Sequence, residues 1–283
     1  MISSNPDART HRQYLVFTSA GDRANLHRWL SPTRSFDLWV TYYGDEGERH
    51  RDVADFYAAR KGGKFPNLQH AYRTNPEIFR RYDAVMVMDD DVIISGEDID
   101  KLFQLRKELG IWILQPAFSP LGRISFPLTR VNRTCRLRYT SYVEMTCPLF
   151  QRDKLDNFMA VYDPVLVGYG CDWWFVDSLG DDIVGKVAVV DEITCVNPLV
   201  FMKKGGGREI DRLQSLQKRK EIWGQVIAKY GIRSMKRGMV EYSAIRKTGW
   251  ALVAGFIVSI LEYAAVVVPM QLYTKLKIRL RNA

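Results

Sequence analysis

The sequence predicts an α/β sandwich on a mainly parallel central sheet, with a C-terminal helical region appended. Three observations carry this prediction. Short apolar runs each end in a Gly- or Asp-rich turn, helical patterns lie between them, and a long apolar segment sits near the end of the 283 residues. The strand-like runs are continuous rather than alternating, which marks strands covered on both faces.

QYLVFTSAGDRAN (Gln13–Asn25) reads as a strand closing in small and polar residues. FDLWVTYYGDEG (Phe36–Gly47) repeats the plan, and DAVMVMDDD drives a third strand into three aspartates. SGEDIDKLFQLRKELG (Ser95–Gly110) predicts a helix with Ser95 as N-cap, acids in its first turn and Gly110 as stop. IWILQPAF is a fourth strand, SYVEMTCPLFQRDKLDNFMAVYD a strand leading into a helix, and GKVAVVDEITCVNP (Gly185–Pro198) a further strand. The α/β domain is placed over residues 1–205 and a basic, hydrophobic helical region over 206–283.

Charge supports that division. From Lys203 onward 17 Lys and Arg face 5 Asp and Glu, a net of +12; the preceding residues carry 24 against 27. An anionic surface is the expected partner of the basic part. Glu209–Tyr230 predicts a charged helix with Leu213, Leu216, Ile222, Trp223 and Val226 on a helical period. WALVAGFIVSILEYAAVVVPM (Trp250–Met270) approaches the ~20 residues of a bilayer span, yet it carries Glu262 and Pro269. Arg246 and Lys247 precede it, and Lys275, Lys277, Arg279 and Arg281 follow. Basic clusters on both sides favour an in-plane or re-entrant helix, with the tail YTKLKIRLR on anionic headgroups. A helix docked on the core or on a second subunit is the alternative.

Cys135, Cys147, Cys171 and Cys195 form no CxxC pair, and the polar N-terminus has no apolar leader, so a reduced, cytoplasmic protein is expected. Four histidines without HExxH spacing argue against zinc, and there is no GxSxG and no P-loop. Lys64, after two glycines, and the KKGGGR stretch (Lys203–Arg208) are candidates for phosphate contact; a surface lysine and a plain linker are the simpler readings.

An Asp-x-Asp at a strand end has a specific use. One carboxylate ligates a hard divalent cation while its neighbour reaches a ribose hydroxyl or a bound water, and the cation relieves their repulsion. A solvated turn capping the next helix is the simpler reading. A second cluster is VLVGYGCDWWFVDSLG (Val165–Gly180). Asp172 there is either an N-cap beside core tryptophans or a carboxylate whose aromatic setting suits a general base. Trp173 and its neighbour offer faces to a sugar ring.

Together these clusters resemble the nucleotide-sugar-dependent glycosyltransferases of the GT-A, Rossmann-like fold. Lys64–Phe175 is similar to a plant and bacterial family of glycosyltransferase-like domains long labelled as of unknown function. The match runs through KFPN, NPEIFRRYDAVMVMDDDV, ILQPAFSP, YVEMTCPLFQRDKL and GYGCDWWF, in order. It implies Asp89 and Asp91 as the metal and nucleotide motif, Asp90 between them at the donor, and Mn²⁺ or Mg²⁺ as cofactor. Asn197 or water takes the third metal position, where many relatives have a His. Asp172 is implied as the base in an inverting reaction, with Cys171 where a Glu is usual, and Glu144 as the alternative. The loop Thr18, Ala20, Gly21 and Asp22 is placed on the base and ribose, with Lys64, Gly168, Gly170 and Trp173 also lining the donor.

The expected activity is transfer from a UDP-hexose to a hydroxyl of a glycan or lipid-linked acceptor in bacterial cell-surface polysaccharide or lipopolysaccharide synthesis. The enzyme is expected on the cytoplasmic face of the membrane, without nucleic acid, and a homo-oligomer is left open. A Mg²⁺-dependent phosphohydrolase or nuclease, or a non-catalytic membrane scaffold, are the rivals; neither accounts for the ordered motifs after Asp91.

Overall fold

A computed structural model of the chain describes residues 3–4, 12–199 and 209–269. The strands are β1 (Ser3–Ser4), β2 (Tyr14–Ala20), β3 (Phe36–Tyr42), β4 (Phe56–Ala59), β5 (Ala84–Asp89), β6 (Ile113–Phe118), β7 (Cys135–Thr140), β8 (Leu149–Gln151), β9 (Val187–Cys195) and β10 (Glu241–Arg246). The helices are α1 (Lys64–Thr74), α2 (Pro76–Phe79), α3 (Gly96–Leu109), α4 (Arg152–Val161), α5 (Cys171–Asp177), α6 (Glu209–Leu213), α7 (Leu216–Tyr230) and α8 (Gly249–Glu262).

The strands form one sheet, ordered β1-β4-β3-β2-β5-β8-β6-β9-β7-β10. Its core is parallel: β2 pairs in parallel with β3 and β5, β3 with β4, and β6 with β9. The sheet is nonetheless mixed, because β8 runs antiparallel between β5 and β6 and the outer strands β1, β7 and β10 also run against their neighbours. The reversal at β8 has a consequence for the site. It carries residues 146–148 alongside the end of β5, where Val87 N–H donates to Pro148 O and Asp89 N–H to Thr146 O, both at 2.8 Å.

Both faces of the sheet are covered, as the continuous apolar runs require. Leu15, Phe17, Val85 and Val87 pack on one side with Phe65, Phe158, Phe175 and Trp223. Val16, Met86 and Met88 pack on the other with Ile99, Leu102 and Phe103 of α3. The α3 caps match the predicted helix: Ser95 Oγ accepts from Asp98 N–H at 3.1 Å, and Gly110 closes in the left-handed conformation.

Several elements differ from the sequence reading. The helix predicted over Glu209–Tyr230 is two helices, because Ser215 adopts an extended conformation and caps α7 through Lys218 N–H. The basic stretch before Trp250 contains an unforeseen edge strand, β10, paired with β7. Ile222, Trp223 and Val226 of α7 lie in the main core. Residues 216–246 therefore share the sheet and core of the preceding residues, and the compositional boundary near 206 is not a break in packing.

The tightest of these contacts explains the glycine pair near Asp172. Gly170 precedes α5 with φ +95°, and a Cβ there would lie 2.3 Å from the Trp223 ring; one at Gly168 would lie 2.3 Å from Ile210 Cδ1. The missing side chains at these glycines leave room for α6 and α7. Gly170→Ala is expected to destabilise the fold by at least about 3 kcal/mol in urea titration, combining backbone strain and overpacking. Gly231→Ala, at φ +66° with nothing within 4 Å, costs about 1 kcal/mol from strain alone. Equal effects would remove the packing role.

Candidate functional site

β2 and β5 end side by side, with Ser19 opposite Asp89, so the loop after Ala20 and the aspartate run share one edge of the sheet. Each carboxylate there meets different surroundings. Asp89 is ion-paired with Lys64, Nζ to Oδ1 at 2.7 Å. Asp90 turns its carboxyl into the protein, where Oδ2 accepts from Gly21 N–H at 2.8 Å and from the Tyr43 hydroxyl at 3.3 Å. Burial, with the charges of Asp91 and Asp89 beside it, pushes the Asp90 carboxyl up to about 7 against those two donors. The backbone of Asp90 and Asp91 is fixed by Asn25, whose N–H donates to Asp90 O and whose side-chain amide donates to Asp91 O, both at 2.7 Å.

Lys64 is neither a surface lysine nor one reaching into solvent for a phosphate. Its ammonium is buried at the start of α1 and also donates to Thr146 O at 3.0 Å and to Met145 O. Asn67, one turn along α1, donates to Ser19 Oγ at 3.0 Å. In the β2 loop, Thr18 is buried and its hydroxyl donates to Met88 O at 2.9 Å. Asp22 accepts from the Tyr42 hydroxyl and from the N–H groups of Asp45 and Glu46, and the Tyr42 contact holds its carboxyl below the ordinary range. Thr18 and Asp22 thus shape the loop, and Ala20 and Gly21 sit between them beside Asp90.

Across the end of β5 lies a second, drier pair. Glu144 is 3% exposed; its N–H donates to Gln115 Oε1 at 2.5 Å, and its carboxylate accepts from the Thr129 hydroxyl. Asp172 is 8% exposed and accepts from the Tyr142 hydroxyl at 2.5 Å. It is not the N-cap of α5; Gly170 holds that position. Burial pushes Glu144 up to about 7, opposed by Thr129 and raised further by the charge of Asp172, and burial likewise lifts Asp172 against the Tyr142 bond. Trp173 packs its ring on Tyr142, centroids 4.7 Å apart, and is half-buried.

Asn197 reaches the same edge through the backbone. Val196 and Ile93 exchange N–H···O bonds of 2.9 and 3.0 Å, which sets Asn197 beside the segment that follows Asp91. Its carbonyl accepts from Arg123 N–H at 2.7 Å. Sequence reasoning missed Asn25, Tyr43, Thr129 and Tyr142. Asn67 stood in the quoted KFPN segment, so its signal was present. The KKGGGR stretch and the tail YTKLKIRLR lie outside the described residues.

Among the described residues no group of three His, Cys, Asp or Glu side chains forms a ready-made cation site. Asp91 with Asp89 nearby still suits Mg²⁺ or Mn²⁺, which typically combine one or two carboxylates with substrate phosphates and water.

No protein-family model matches the chain, and no curated protein matches it. Solved structures do. The crystal structure of S. aureus TarS 1–349 in complex with UDP-GlcNAc superposes with a TM-score of 0.53 at 11% identity, covering 77% of this chain and 66% of that one. GalNAc-T7 with UDP, GalNAc and Mn²⁺ gives 0.51 at 10% identity, covering 77% and 48%. The fold is that of the GT-A glycosyltransferases. The chain spans just under two thirds of the first of these structures and about half of the second.

Glu144 yields a pH prediction. Its folded value of about 7 lies above the ordinary 4.5, so the stabilisation from holding its proton is complete below the ordinary value and is lost as pH rises through 7. Glu144→Gln has no such proton to lose. It should gain stability over the wild type by up to about 3 kcal/mol between pH 5 and 8, read by urea titration. A difference that does not change with pH would remove the burial account.

Proposed function

We propose that the protein transfers a sugar from a nucleotide-sugar, a UDP-hexose, to a hydroxyl of a glycan or lipid-linked acceptor, with inversion. The observation that carries this reading is the meeting, at one edge of a GT-A sheet, of the aspartate run and the buried Glu144–Asp172 pair. The UDP in both the TarS and GalNAc-T7 complexes supports the donor class. The setting we infer is bacterial cell-surface polysaccharide synthesis at the cytoplasmic face of the membrane.

Asp91, with Asp89 and Asn197, would hold Mn²⁺ or Mg²⁺, which when bound neutralises charge on the leaving diphosphate as a Lewis acid. Asp89 orients the nucleotide from a position fixed by Lys64. Asp90 holds Gly21 N–H, and with it the Ala20–Gly21 loop against which base and ribose rest. Asp172 takes the proton of the acceptor hydroxyl as that oxygen bonds to the anomeric carbon and the nucleoside diphosphate departs. Burial raises its proton affinity, which makes it a stronger base than an exposed carboxylate. Tyr142 fixes the direction of the Asp172 carboxylate. Glu144, buried near it, orients the acceptor and is the alternative base.

Calorimetry tests the donor assignment. UDP should bind with Mn²⁺ present and bind at least tenfold more weakly to Asp91→Asn, whereas Asp172→Asn should keep nucleotide affinity and lose roughly 10²- to 10⁴-fold in transfer rate. UDP binding indifferent to Mn²⁺ and to Asp91→Asn would sink the reading.

A further inference from the structure

α8 and its continuation run from Gly249 to Val267, 19 residues with a mean hydropathy of 2.0, and almost none of this length is covered. A helix that completes a protein core turns its bulky apolar side chains inward. This one does the reverse. Gly255 and Glu262, seven residues apart and so on one face, make the contacts with the body. Gly255 is buried so closely against Arg133 that a Cβ would come within 2.2 Å of the Arg133 carbonyl oxygen. Glu262 accepts from Arg133 at 2.5 Å from Nη2 and 3.1 Å from Nε. Trp250, Val253, Ile257, Ile260 and Leu261 occupy the opposite face, with Trp250 87% exposed.

The Arg133 attachment also settles the question raised by Glu262 in the sequence. Arg133 and Glu262 are 23% and 21% exposed and pair with both guanidinium donors. A helix standing across a bilayer would carry this pair, and the body attached to it, into hydrocarbon. A helix lying flat keeps both at the protein face. Arg246 and Lys247 lead into it and four basic residues follow it in sequence, a distribution that suits anionic headgroups better than a second copy of this basic chain.

The point of attachment belongs to the segment that closes over the carboxylate pair. Thr134 O accepts from Lys247 N–H at 2.9 Å. Upstream in the same segment, Thr129 donates to Glu144 and the Phe126 ring packs on Tyr142 at 5.2 Å. Asp191 anchors the segment through Asn132 N–H at 2.7 Å, and Arg138 binds both Asp191 and Arg130 O.

We propose that α8 lies flat in an anionic lipid surface with its Trp250–Ile257–Leu261 face in the acyl boundary, and that the Arg133–Glu262 clamp turns the Glu144–Asp172 side toward the headgroups. The acceptor is then a lipid-linked glycan met at the membrane surface. The identity of the acceptor side rests on the proposed function; the docking does not.

The test uses the full chain and vesicles of phosphatidylcholine with and without phosphatidylglycerol. The wild type should float with the anionic vesicles, and Ile257→Ser/Ile260→Ser should bind at least tenfold more weakly with unchanged UDP affinity. Hydrogen exchange should show vesicle-induced protection over both 250–261 and 119–134. Arg133→Ala should keep the first and lose the second. A folded wild type that binds UDP with Mn²⁺ but no vesicles overturns the docking alone, as does a dimer that the double serine variant converts to monomer without any vesicle binding. Vesicle binding with both protections, in a protein that binds no nucleotide, supports the docking and removes the glycosyltransferase reading.

Discussion

One buried ammonium group joins the two halves of the site. Lys64 Nζ meets Asp89 at the end of β5 and, on its other side, the carbonyls of Met145 and Thr146. Three successive carboxylates at a strand end repel one another, and desolvation adds to the cost. The cation relieves the first, Gly21 and Tyr43 hold the second, and the third follows where Asn25 fixes the backbone. Because Lys64 also grips residues 145–146, it sets the path of the chain that places Glu144 beside Asp172. The aspartate edge and the Glu144–Asp172 pair are therefore registered to each other through a single side chain and the antiparallel return into β8.

What the sequence made legible is what local physics determines. The unbroken apolar run before Asp89 marks a strand buried on both faces, so the aspartates had to lie at its end. Ser95 and Gly110 bracket α3 by capping chemistry alone. What stayed hidden depends on pairs far apart in the chain. Lys64 lies 81 residues before Met145, and no spacing rule connects them. Tyr142 and Asp172 are 30 residues apart, and Asp172 looked like a cap because the left-handed turn at Gly170 cannot be seen without Trp223 behind it. β10 escaped because an exposed, charged edge strand buries no face that would leave a pattern.

The C-terminal region shows how composition and packing can diverge. Its charge sets it apart from the acidic body, yet α7 fills the main core, β10 extends the sheet, and Trp223 shapes the turn before α5. Among the described residues of this region, α8 is the long helix left outside the core, fastened at Gly255 and Glu262. Glu262, the charge that sits oddly in so apolar a helix, is one of the two residues that fasten it to the protein.

On the proposed function the aspartate edge is completed by a nucleoside diphosphate, and its described side chains form no finished cation site by themselves. Electron paramagnetic resonance of Mn²⁺ uptake, with and without UDP, tests this most directly. The account predicts stoichiometric uptake of one Mn²⁺ only when UDP is present. Equally tight uptake without the nucleotide, or tight UDP binding in the presence of a chelator, would contradict it.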